Sequence, residues 1–151
     1  MRRRQFFDNK EEFFSGIEFT EEKEIDLNDG LDFITFSESF KLLQNSKNSS
    51  VNKNELIVTK CKPNLLVSLK WEVIVLSKEK ISLAFRILQN KKIIDSTRVN
   101  GYSDIEEVSN FGNTLIEINS KDRFLIQIKN IDSKKPTEKV IIKTVRMILE
   151  S

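Results

Sequence analysis

Between residues 65 and 75 apolar and polar side chains alternate. Leu65, Val67, Leu69, Trp71, Val73 and Val75 share one parity, and Ser68, Lys70 and Glu72 share the other. Ile81, Leu83, Phe85 and Ile87 repeat the pattern, with Ser82 and Arg86 on the opposite parity. Successive side chains point to opposite faces of a strand, so this spacing predicts two half-buried strands of an antiparallel sheet. The style continues along the chain. Short strands are expected at 33–36, 56–60, 93–99, 114–118, 123–129 and 138–149, with Lys62-Pro63-Asn64 ending the second and turns at 89–92 and 119–122. Residues 44–55 and 100–111 read as polar loops, and 37–43 follow no clear period. About eight or nine strands and no convincing helix predict an all-β fold, an antiparallel two-sheet jelly-roll sandwich.

The last predicted strand departs from simple alternation. Ile141, Val145, Met147 and Leu149 share one parity, while Val140, Ile142 and Ile148 share the other. Apolar residues on both faces call for burial on both sides, which a second subunit would supply most simply and a covering segment such as the Phe-rich arm would supply as well. Ile142, Val145, Met147 and Leu149 are the expected subunit interface.

Residues 1–30 differ from the remainder, so the chain divides into an N-terminal arm, 1–30, and a sandwich domain, 31–151. Eight of the eleven phenylalanines fall in the first forty residues, several amid acidic side chains and without alternation. A phenyl ring left in water forgoes about 2 kcal/mol of burial energy, so these rings should dock on something. Either they cover the domain's own sheet, or they anchor the chain to another subunit or protein. In the second reading Arg2, Arg3, Arg4, Phe6, Phe7, Phe13 and Phe14 bind the partner.

Charge adds one asymmetry. Residues 1–50 carry seven Lys/Arg and eleven Asp/Glu, while 51–151 carry eighteen and twelve. An acidic arm on a basic neighbour would fit, as would two ordinary solvated surfaces. The net charge of +2 gives no global field for nucleic acid. There is no apolar run of membrane-spanning length, and the opening Met-Arg-Arg-Arg-Gln is unlike a secretory signal, so no membrane partner is expected.

The residues argue against enzymatic chemistry. The chain lacks histidine, the commonest general base and transition-metal ligand, and its single Cys61 permits neither an internal disulfide nor a thiolate cluster. Its four glycines, at 16, 30, 101 and 112, are isolated and form no phosphate loop. Asp104, Glu106 and Glu107 gather in one predicted loop, where a hydrolytic pair or Ca²⁺ would need them, but a solvated loop explains them as well. Asp26, Asp29 and Asp32 match no EF-hand spacing. Trp71 lies on the apolar parity of its strand and reads as core. No catalytic residue, cofactor or metal is expected.

The order of motifs resembles the tumour necrosis factor and complement globular-head jelly rolls. Residues 55–67 are similar to that family's strand, Pro-Gly turn and following strand; 81–96 are similar to its strand, Lys-Asn-Gly turn and strand. Residues 112–126 resemble its apolar strand, Gly-Asp turn and apolar strand, and 145–149 its closing strand. Asp122 keeps the Asp of the Gly-Asp turn, with Lys121 in place of Gly, and Pro63-Asn64 stands where the family has Pro-Gly. The resemblance spans residues 33–149 and implies a jelly roll of about ten strands that assembles as a homotrimer. It carries over no receptor or metal site. The arm and opening residues also resemble phage virion proteins such as head fibres and capsid auxiliary proteins. The expected function is therefore a non-enzymatic structural protein of a phage particle, assembled in the bacterial host cytoplasm and held to a capsid or tail protein by its arm. The alternatives are a bacterial tumour-necrosis-factor-like trimeric recognition module, with loops 44–55 and 100–111 binding ligand, and a carbohydrate-active β-sandwich.

Overall fold

A computed structural model describes residues 12–27 and 31–151, which form twelve strands and no helix. In chain order these are β1 (Phe14–Phe19), β2 (Lys23–Ile25), β3 (Ile34–Thr35), β4 (Lys41–Leu42), β5 (Ser49–Asn52) and β6 (Glu55–Val58). The longer ones follow: β7 (Leu65–Leu76), β8 (Ile81–Gln89), β9 (Lys92–Ser103), β10 (Val108–Ile118), β11 (Arg123–Asn130) and β12 (Val140–Glu150). Sheet A has the order β10-β7-β12-β1-β4, with β2 also on β12. Sheet B has the order β5-β6-β11-β8-β9, with β3 on β11. All pairings are antiparallel, and the two sheets form the expected jelly-roll sandwich.

The two alternating strands do not pair with each other. β7 lies in sheet A and β8 in sheet B, so the connection between them crosses the sandwich. Their dry faces meet across the core, where the rings of Trp71 and Phe85 lie 5.5 Å apart. Val67, Leu69, Val73 and Val75 of β7 share this core with Leu83 and Ile87 of β8 and Ile126 and Ile128 of β11. Each such side chain contributes about 1.5–3 kcal/mol by leaving water.

The sandwich begins earlier in the chain than the expected division at residue 31. β1 is an internal strand of sheet A, paired along its length with β12 and at its end with β4. Ile17 and Phe19 are buried, and Phe19 packs edge-on against Phe36 at 5.0 Å. Phe13, expected to bind a partner, is buried too. Its carbonyl accepts the Ser151 amide at 2.9 Å, and its own amide donates to Ser151 Oγ at 2.7 Å, so the sheet holds both ends of the described chain together. These rings cover the domain's own core. Arg2, Arg3, Arg4, Phe6 and Phe7 lie outside the described residues.

β12 corrects the two-faced reading. Its register on β7 shifts between Ile142 and Thr144, so Lys143 is an extra residue, a β-bulge. The bulge reverses the parity of everything after it. Val140 and Ile142 before it, and Val145, Met147 and Leu149 after it, therefore all face the core. Ile142, Val145, Met147 and Leu149 are each 0% exposed within one chain and are not available to a neighbouring subunit. Lys143 itself turns outward to Glu22, and that hydrogen bond, with the Glu22 charge, holds its ammonium above its ordinary 10.5.

Both predicted loops contain strand. Residues 49–52 pair with β6 through a tight turn in which Lys53 has φ 55°. Most of 100–111 belongs to β9 and β10, leaving only 104–107 as connection. Asn110 ties these two edges together across the sandwich: its Nδ2 donates to the Tyr102 carbonyl at 3.0 Å and its Oδ1 accepts the Tyr102 amide at 3.1 Å. A Cβ on Gly101 would collide with that carboxamide.

Candidate functional site

The outer face of sheet A combines large exposed apolar side chains with charges that are already paired. The antiparallel register sets its outward residues in rows. One row runs Phe111, Glu72, Arg146, Glu18; the next runs Asn113, Lys70, Ile148, Gly16; a third runs Leu115, Ser68, Glu150, Phe14.

Charge in the middle of this face is satisfied internally. Arg146 places Nη2 3.0 Å from Glu18 Oε2 and Nη1 3.4 Å from Glu72 Oε1. Glu72 Oε2 accepts Ser109 Oγ at 2.6 Å, and Lys70 pairs with Glu150 at 2.8 Å. At half-exposed positions each pair contributes no more than about 1 kcal/mol to stability. Their chief effect is to leave no lone charge there. A depression of about 160 Å³ opens between Lys70, Trp71, Glu72, Arg146 and Ile148.

Around this network stand the apolar groups. Phe111 and Leu115 on β10 are 68% and 67% exposed, and Leu66 on β7 is 57% exposed. β10 is the edge strand of sheet A, so these side chains sit beside an unpaired backbone edge. Two large apolar side chains exposed along the edge strand, with a third on the strand beside it, mark a surface that gains by being covered. Phe14, expected in the arm, lies half-buried on the same face, level with Glu150.

The other sequence expectations fall elsewhere. Trp71 is core, 3% exposed, with its ring laid on Gly112. Cys61 is half-buried and packs against the core. Asp104 caps its own turn by accepting the Ile105 amide at 2.8 Å, and Glu106 and Glu107 are exposed in the same short loop. Among the described residues no three His, Cys, Asp or Glu side chains converge on a metal-sized point. The apolar rim was readable but was not singled out: with Ile116 and Ile118 set inward, Phe111 and Leu115 fall on the wet parity of their strand.

Comparison with known proteins fits this architecture. The structure of Eiger TNF from S. frugiperda superposes with a TM-score of 0.59 at 8% identity, covering 94% of each chain. Murine APRIL, solved at pH 5.0, matches with a TM-score of 0.52 at 9% identity, covering 86% of this chain and 98% of that one. The chain folds as a TNF-like jelly roll. No protein-family model and no curated protein matches it. At these identities the shared property is the fold, and turn geometry explains how it survives without the turn residues. Where the resemblance has glycine, Asn64 and Lys121 take the left-handed backbone themselves, at φ 53° and 76°. Asp122 then locks the second turn, accepting the Asn119 amide at 2.8 Å, Gln89 Nε2 at 2.9 Å and Asn90 Nδ2 at 2.8 Å.

Proposed function

We propose that this protein is a non-enzymatic binding module that works as a homotrimer, with the outer face of sheet A and its β10 edge forming the contact between copies. The observation that carries this is the exposed set Phe111 and Leu115 on the edge strand and Leu66 on the strand beside it, in a TNF-like jelly roll. An edge of one copy set against the face of the next is a heterologous contact, and such contacts close into a ring when the rotation permits. Arg146, Glu72, Glu18, Lys70 and Glu150 already hold one another, so burying this face strands none of them without a partner.

Residues 1–11 complete the proposal. The described chain begins at Glu12, and Phe13 is hydrogen-bonded to Ser151 at one end of sheet A. Three arginines and the Phe6-Phe7 pair suit attachment to an acidic, apolar patch on a second protein. A capsid or tail protein is the partner this reading assigns; the support for that virion setting is the composition of the arm, and the fold supports the oligomer. The test of the oligomer is the double variant Phe111→Asp/Leu115→Asp. It should keep the far-ultraviolet circular dichroism of a β-sandwich and sediment as a monomer. A variant that stays trimeric would place the contact elsewhere.

A further inference from the structure

The opposite side of the sandwich carries three cations drawn around one aromatic ring. Phe33, half-buried just before β3, has the Arg86 guanidinium 3.8 Å from its ring centre, Arg98 at 5.4 Å and the Lys129 ammonium at 5.8 Å. Since all three lie within 5.8 Å of one point, no two are more than twice that distance apart. Among the described residues, no carboxylate pairs with any of them. Cation–π attraction compensates part of the mutual repulsion and leaves the positive charge uncancelled.

The cluster is held in place by neutral groups. Thr35 Oγ1 accepts Gln127 Nε2 at 3.1 Å, and Gln127 Oε1 accepts Arg86 Nε at 2.7 Å. This leaves the terminal nitrogens of Arg86 without a protein acceptor among the described residues. Arg98 is brought in by a separate device. The β8–β9 register shifts between Phe85 and Ile87, where residues 95–98 bulge outward. The bulge is pinned by buried Thr97, whose Oγ1 accepts the Ile87 amide at 2.8 Å and donates to the Ile94 carbonyl at 2.6 Å. Bulges re-aim side chains, and this one carries Arg98 over the ring.

We propose that Arg86, Arg98 and Lys129 form an oxyanion site on the outer face of sheet B, which takes a phosphate or sulfate group. Guanidinium groups match tetrahedral oxyanions through paired N–H donors, and three cations around a single anchor favour a multiply charged group over a carboxylate. The group has two possible sources, a free inorganic ion or an ester along a polymer.

Titration of the full chain, followed by NMR of the arginine Nε–H and phenylalanine ring signals, tests this. The probes are inorganic phosphate and dextran sulfate, with acetate and neutral dextran as controls. Saturable shifts at Arg86, Arg98 and Phe33 with inorganic phosphate assign a free-ion site. Shifts with dextran sulfate alone assign an ester-reading site. Either way Arg98→Gln, at an exposed position, should weaken binding roughly tenfold while leaving the thermal midpoint in place, and added NaCl should weaken it further. Lys129→Gln, tested alongside, should act in the same direction. Absence of saturation with both probes overturns the proposal, as does binding that is unchanged in both folded variants.

Discussion

Gly112 and Trp71 are paired across the β10–β7 ladder with the indole lying on the glycine. A Cβ at residue 112 would stand 2.5 Å from Trp71 Nε1 and 2.8 Å from Cε2, and a ring wedged between two sheets has nowhere to move. Gly112→Ala should therefore destabilise the fold by about 1–3 kcal/mol, read from the urea midpoint at unchanged slope. Asp132 gives a second residue-scale expectation. Its carboxylate accepts the Ser82 amide at 3.1 Å and the Lys134 and Lys135 amides at 3.0 and 3.2 Å, joining the β11–β12 connection to β8. These backbone bonds, that from Lys134 foremost, hold its pKa below the ordinary 3.8. A lowered carboxylate pKa stabilises the fold above the unfolded value and loses that contribution as pH falls through the folded one. The thermal midpoint should drop as pH goes below 3.8, and Asp132→Asn should lower it at neutral pH while flattening the acid-side drop. Little of this was readable in advance. Asp122 stood out through its turn motif, whereas the bond from the Ser82 amide to Asp132 joins residues far apart in sequence, and no local pattern marks such a partner.

At the scale of elements, alternation located the long strands and misread the places where alternation breaks. β7, β8 and β11 keep strict parity and were legible for that reason. β12 was legible as a strand but not in its facing, because one extra residue, Lys143, inverts parity and makes a one-sided strand look two-sided. β5 hid among Ser and Asn because Val51 is its single apolar residue. β1 was concealed by its Phe-rich, acidic setting and by Gly16, where Leu43 and Ile148 close over the bare backbone. The position of β1 predicts how truncations behave. Deleting residues 2–11 should leave a folded sandwich with a cooperative melt. Extending the deletion to residue 20 removes Ile17 and Phe19 from the core and unpairs β12 and β4, so that protein should lose its melt altogether. A cooperative melt in the longer deletion would show that β1 is dispensable.

For the whole molecule, the all-β class, the two sheets and the likeness to a TNF-type jelly roll were all within reach of the pattern and motif order. The proposed assembly surface was not. Periodicity identifies which residues are apolar and on which parity, and it placed the subunit contact on Ile142, Val145, Met147 and Leu149, the most apolar strand. The fold spends those residues on its own core and exposes Phe111 and Leu115 on the edge strand of sheet A, and Leu66 beside it, instead. The central claim is that this edge joins three copies. Native mass measured over a range of protein concentrations addresses it most directly. A trimer joined at this edge should give three times the 17.6 kDa chain mass for the unaltered protein and a single chain mass for Phe111→Asp/Leu115→Asp. A stable 17.6 kDa species for the unaltered protein at every concentration would contradict it.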